Sequence, residues 1–161
     1  MVNQTNKIVQ DAKQEIKSLE KDYIFSVGRR KSATVTVRLY KKDVVIEGVT
    51  VHKGEIVVNN ISCSKYFGKG KELICFQPLD ITKTKNEFAV SIKTSGGGKE
   101  GQIQAARLVI ARALLAITGS DVLKKAYIKY DRNMIVQDSR RKEPYKPGDS
   151  KPRARRQKSY R

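Results

Sequence analysis

The sequence predicts an α+β fold: a two-layer mixed sheet with helices on one face, followed by an extended basic tail. Three observations predict it. Short apolar segments of period two fill the first part of the chain, two segments of helical period follow, and beyond Arg140 apolar residues nearly vanish while charge and proline rise. Strands followed by helices, with no repeat period, point to α+β rather than to alternating βαβ units. The chain has 161 residues, 39% of them hydrophobic, enough for one compact domain with an appended tail. The expected organisation is an N-terminal extension over 1–22, a globular α+β domain over 23–130 and a basic tail over 131–161.

Taken in order, residues 1–21 carry Ile8, Val9, Ala12, Ile16 and Leu19 at roughly helical spacing among polar residues, an amphipathic helix that nucleates weakly and is ordered only when docked. From Tyr23 to Leu39 the apolar residues Ile24, Val27, Ala33, Val35, Val37 and Leu39 fall mainly at period two, which reads as one strand with a charged bend after Gly28. Val44 to Ile46 and Val49 to Val51 flank Glu47-Gly48 and predict a short hairpin, because Gly supplies the positive φ of a tight turn. The sheet is expected to begin at that hairpin. Residues 54–67 read as either helix or loop, Gly68 to Lys71 as a breaker, and Leu73 to Ile81 as extended. Phe88, Val90 and Ile92 alternate with Ala89, Ser91 and Lys93, a strand with one face on the core and one toward solvent or RNA.

Gln102 to Thr118 is the clearest helix. Ile103, Ala106, Ile110, Leu114 and Ile117 form its stripe, Leu108 and Leu115 widen it, and Gly119 is placed to cap its C-terminus. Ser120 is a good N-cap for a second helix to Tyr130, with Val122, Leu123, Ala126, Tyr127 and Tyr130 expected inside. Asp131 and Arg132 close that helix, and Asn133 to Val136 are expected to pair briefly as a strand. In the tail, Pro144, Pro147, Pro152 and Gly148 forbid a continuous helix.

Charge bounds the function. Lys plus Arg number 34 against 16 acids, a net +18, so the chain needs a polyanionic partner. Residues 140–161 hold ten Lys plus Arg and two acids, +8 of that total. No apolar run of about 18 residues and no signal segment is present, so no membrane is expected, and a cytoplasmic setting is. Cys63, Cys75 and His52 are too few for a zinc site, and both cysteines read as reduced thiols. No cofactor or catalytic residue is expected.

Three clusters carry the expected RNA contacts. Arg29, Arg30 and Lys31 follow Gly28, which would let the backbone approach a phosphate; the plain reading is an exposed charged turn. Gly96, Gly97 and Gly98 with Lys99 open the long helix. Gly96, Gly98 and Gly101 match a dinucleotide fingerprint, but the strand before them alternates and Asp121 opens a helix, so no nucleotide chemistry follows. What survives is a helix N-terminus beside a lysine, suited to a phosphate, against a plain strand-to-helix loop. The tail supplies Arg140, Arg141, Lys142, Lys151, Arg153, Arg155 and Arg156, with Lys158, Tyr160 and Arg161 at its end. Guanidinium groups fork onto phosphates and stack on bases, as tyrosine also stacks. A merely solubilising tail would gain as much from acids. His52 suggests no charge-relay site.

The stretches GRRKSATVTVRL, SGGGKEGQ, AARLVIARALL, YDRNMIVQDSRRKEP and RARRQKSYR, in order from Gly28 to Arg161, resemble small-subunit ribosomal protein nine. The likeness runs from about Tyr23 to the C-terminus and leaves out residues 1–22. The ending Gln157-Lys158-Ser159-Tyr160-Arg161 looks like the archaeal and eukaryotic form; Gly148-Asp149-Ser150-Lys151-Pro152 departs from the usual Gly-rich link. The resemblance implies a fold shared with the second domain of ribosomal protein five, and a place in the small-subunit head against ribosomal RNA and neighbouring head proteins. It implies a tail reaching the peptidyl-tRNA site, with Arg161 near the anticodon stem-loop backbone and Tyr160 and Lys158 beside it. On charge alone, the rival reading is a free nucleic-acid compaction protein.

Overall fold

The computed structural model describes residues 23–148 and 151–153. The helix expected over 1–21 and the tail residues Arg155, Arg156, Lys158, Tyr160 and Arg161 lie outside the described residues.

Tyr23 to Tyr40 is a hairpin rather than one bent strand. β1 (Tyr23–Arg30) and β2 (Ala33–Tyr40) pair antiparallel and turn over Lys31 and Ser32. The basic cluster hid the turn because it holds no glycine, yet Lys31 adopts φ 55°, the left-handed conformation a two-residue turn requires. β3 (Val44–Ile46) and β4 (Val49–Val51) form the expected hairpin, with Glu47 and Gly48 both at positive φ. It is a separate two-stranded ribbon, so the main sheet begins at Tyr23 and not here.

The ambiguous stretch resolves into β5 (Ile56–Val58), a turn with Asn59 and Asn60 at positive φ, β6 (Ile61–Ser62) and α1 (Cys63–Phe67). The segment expected to be extended is instead a helix, α2 (Glu72–Thr82). Its apolar residues run almost continuously, which period alone does not assign, but Cys75, Pro78 and Leu79 sit at helical spacing and are its buried residues. Pro78 lies inside this helix, and its carbonyl accepts from the buried Tyr127 hydroxyl at 2.9 Å. Cys63 and Cys75 are free, buried thiols within hydrogen-bonding reach of each other. Cys75 is pushed up from the ordinary thiol range by that contact and by burial.

β7 (Ala89–Ser95) completes a five-stranded sheet of order β1-β2-β7-β5-β6, in which only β5 and β7 pair in parallel. α3 (Lys99–Thr118) starts three residues before the expected helix and ends at Gly119 in the left-handed conformation, whose N–H donates to Leu115 O at 2.8 Å. α4 (Asp121–Tyr130) is capped by the Ser120 hydroxyl, which accepts from the Leu123 N–H. Of the residues expected on its inner side only Tyr127 is buried and Leu123 partly so; Val122 is 78% and Tyr130 60% exposed, because the helix rests on its neighbours along a narrow line. Asn133 to Val136 do not pair; a 3-10 turn (Arg132–Met134) stands there instead and buries Met134 against Ala111 and Tyr127.

The register sorts the sheet into two faces. Ala33, Val35, Val37, Leu39, Val90, Ile92, Ile56 and Val58 face α2 and α3 and form the main core. The opposite face is buried at one end only, where Tyr40, Val57 and Ala89 lie under the β3–β4 ribbon. Ala89, expected toward solvent, is therefore covered. Further along, Phe25, Val27, Thr36, Arg38 and Lys93 remain on that face.

Candidate nucleic-acid interface

Alternation along β1 divides the first basic cluster. Gly28 and Arg30 share the helix-facing side, while Arg29 is on the other. Gly28 is needed for packing and not for a phosphate: a Cβ there would lie 2.6 Å from Val109 Cγ2 and 2.7 Å from Leu108 Cδ2 of α3. Arg30 is turned inward, with its side chain 19% exposed, and forms an ion pair with Asp138. Arg29 and Lys31 are left exposed.

The glycine loop packs directly behind this turn. Gly96 and Gly97 have φ 67° and 64°, and a Cβ on them would lie 2.7 Å from Ser32 O and 2.8 Å from Ala33 N respectively. Two motifs that sequence treats separately are thus one packed unit. The glycines serve backbone contact with the β1–β2 turn, while Gly98, as N-cap of α3, and Lys99 stay exposed. First-turn N–H groups of α3 have no intrahelical acceptors, which leaves a positive end beside Lys99.

A strap from Asp131 to Arg140 returns the chain to the same turn. Asp131 accepts from Arg107 of α3 and, at 2.8 Å, from the Asn133 N–H; Ile135 O accepts from Arg112 Nε at 3.0 Å. Asp138 accepts from Arg30, from the Arg140 N–H at 2.8 Å and from Arg140 Nη2 at 2.8 Å. The Arg140 hydrogen bonds, with the Arg30 charge beside them, hold the Asp138 carboxyl well below the usual carboxylate range. Sequence reasoning gave Asp131 a structural role, which it has, but passed over Arg107, Arg112 and Asp138. The available signal was the two arginines inside the apolar run AARLVIARALL, since a guanidinium in a core-facing helix calls for a carboxylate or carbonyl elsewhere.

The outcome is an open cleft of about 840 Å³ lined by Arg29, Lys31, Ser32, Thr34, Arg140, Arg141 and Lys142. Five cations and no acid line it. Gly96, Gly97, Gly98 and Lys99 are not among its lining residues, and neither are Lys151 and Arg153. Arg153 donates to Glu143 at 2.8 Å on an exposed surface, and Lys142 Nζ bonds the Tyr145 hydroxyl at 2.6 Å and lies 4.4 Å from its ring centroid. Such exposed pairs are worth little in water.

Other chemistry is thin. His52 does have a carboxylate, Asp43, at 3.5 Å, but both side chains are more than half exposed, and Asp43 chiefly accepts from the Lys53 N–H. Among the described residues no group of three or more His, Cys, Asp or Glu is placed to hold a metal ion, and no helix is long and apolar enough to cross a membrane.

The family described as ribosomal protein S9/S16 matches residues 28–161. The small ribosomal subunit protein uS9 of Thermoplasma volcanium is 34% identical over 141 residues, covering 87% of this chain and 99% of that protein. The protein of the same name from Maridesulfovibrio salexigens is 37% identical over 146 residues, covering 89% of this chain and all of its own length, 100%.

Proposed function

Since the chain belongs to the ribosomal protein S9 family, and is thereby a structural constituent of the small subunit rather than an enzyme, we propose that it binds small-subunit ribosomal RNA and that its cationic cleft is the main contact. The observation that carries this reading is the convergence of Arg29 and Lys31 with Arg140, Arg141 and Lys142, from opposite ends of the chain, on one acid-free concavity. Asp138 balances Arg140; the four cations beside it, Arg29, Lys31, Arg141 and Lys142, repel one another in water and gain most from a polyanion. Lys99 at the N-terminus of α3 provides a second phosphate contact, and Arg30 acts indirectly by pinning the strap. Lys151, Arg153, Arg155 and Arg156 continue the contact along the tail.

The tail then runs to peptidyl-site tRNA, where Arg161 forms a charge-assisted contact with the anticodon stem-loop backbone, assisted by Lys158 and Tyr160. The globular part sits in the subunit head beside neighbouring head proteins. The tail's +8 charge and its Arg161 ending support this reading.

Two experiments test it. Binding of the full chain to small-subunit RNA should lose about 0.7 in log–log salt slope for each cleft cation replaced by Ala; an unchanged slope in the Arg29→Ala, Lys31→Ala, Arg141→Ala, Lys142→Ala variant overturns the cleft assignment. Subunits lacking residues 158–161 should assemble almost normally yet retain peptidyl-site tRNA less well; equal retention overturns the tail assignment.

A further inference from the structure

The sheet face away from the helices runs directly out of the cleft. Arg29 and Thr34 both line the cleft and are cross-strand partners on this face. Beyond them along the strands stand Val27 and Thr36, then Phe25 and Arg38, with Lys93 and Ser91 one strand further. Phe25 is 51% and Val27 45% exposed. The β3–β4 ribbon closes the face only at its far end, over Tyr40, Val57 and Ala89. None of the open strand positions carries an acid. Glu47, at the turn of the ribbon, borders them and is engaged by Asn60 at 2.6 Å and Lys93 at 3.6 Å, so Lys93 is balanced while Arg29 and Arg38 stay exposed.

We propose that this face seats unpaired bases of the RNA strand whose phosphates lie in the cleft, with one base stacked on Phe25. The inference rests on the RNA reading above and adds to it a contact of different chemistry. Two exposed apolar side chains are a small fraction of the roughly 800 Å² that a stable protein interface buries on each side. A lone aromatic beside guanidinium groups is instead the arrangement that holds single-stranded nucleic acid, the ring taking a base and the cations the backbone. Arg38 is directly opposite Phe25, and its guanidinium carbon lies 5.3 Å from the Tyr23 ring centroid. That contact holds the cation beside the place a base on Phe25 would occupy.

The distances suit one continuous strand. Side chains on one face of a β-strand recur every ~6.6 Å, so Arg29 lies about 13 Å from Phe25. Stacked nucleotides advance ~3.4 Å each, so about four of them, or fewer when unstacked, join a phosphate at Arg29 to a base on Phe25. Val27 lies between the two, against the intervening ribose or base. Next to Phe25 the face also holds a hollow of about 160 Å³, lined by Thr36, Arg38, Asn60 and Ser91 among others, where both donors and acceptors meet the edge of a base. Phe25 and Val27 precede residues 28–161, over which the family match runs.

The chain has no tryptophan, so Phe25→Trp gives the full protein a single indole at this point. Its emission should be quenched by a uridine decamer and left nearly unchanged by an abasic ribose-phosphate decamer, although the cleft binds both. Phe25→Ala should weaken the uridine decamer about five- to tenfold, the low end for one stacked base, while the abasic strand binds as to the parent and the salt slope is unchanged. Phe25→Tyr should keep parental affinity. Emission that ignores the uridine decamer, or an equal loss for both strands in Phe25→Ala, overturns the proposal. So does emission from the free protein that changes on dilution, since the face is then taken by a second copy. A parent that binds neither strand overturns the RNA reading itself, and this inference with it.

Discussion

Arg30 on the first strand and Asp138, 108 residues further along the chain, form an ion pair that joins the start of the domain to the start of its tail. Through Asp138 the same contact reaches Arg140, so the carboxylate sets where the tail leaves the body and thus where Arg141 and Lys142 meet Arg29 and Lys31.

Replacing this carboxylate should open the strap. In Asp138→Asn, trypsin should cut after Arg140 or Arg141 faster than in the parent, with the rest of the domain still resistant. Acid should have the same effect. The folded carboxyl ionises below its ordinary 3.8, so its contribution is full above that pH and disappears as the pH falls through the lower folded value. Cleavage that is flat between pH 7 and 5 and rises only below about 4, read with an acid-tolerant protease, checks the sign.

The glycine loop offers a paired test. Gly97→Ala adds a Cβ at 2.8 Å from Ala33 N in a left-handed conformation and should cost roughly 1–3 kcal/mol, read from urea unfolding. Gly98→Ala, with negative φ and nothing within 4 Å, should change stability by less than about 0.5 kcal/mol.

Lys31 separates folding from binding. Its φ of 55° is strained for a side-chain-bearing residue, so Lys31→Gly should leave stability unchanged or raise it by up to about 1 kcal/mol. The same variant should bind RNA more weakly, with a salt slope reduced by about 0.7. A stable protein with parental RNA affinity would remove Lys31 from the interface.

Tyr127 ties α4 to α2. Burial pushes its phenol up to about 12, so stability should decline as the pH rises from about 10, where the unfolded chain ionises, toward 12. Tyr127→Phe should cost about 1 kcal/mol and abolish that decline. The low figure follows because Pro78 O also accepts from the Thr82 hydroxyl at 3.2 Å and is not left without a donor.

Much was legible in the chain before any fold was known. The α+β class, the long helix ending at Gly119, the Ser120 cap and the Glu47-Gly48 hairpin are local matters, set by periodicity and by residues that accept one backbone conformation. The excess of cations, the five ordered motifs and the absence of any nucleotide fingerprint beyond three glycines pointed to RNA and to this family.

Tertiary structure decided what local preference could not. Whether Leu73 to Ile81 is strand or helix depended on α3 offering Cys75, Pro78 and Leu79 a place to bury. Whether Arg29 or Arg30 is exposed depended on which face of β1 meets α3, a choice of register that shifts every side chain together. The glycines after Ser95 serve a turn some sixty residues earlier, and the first basic cluster meets the tail only through a carboxylate at position 138. The sequence by itself thus determined that the protein carries cations for RNA; which of them stand together was decided by long-range packing and ion pairing, because those contacts join residues that share no local pattern.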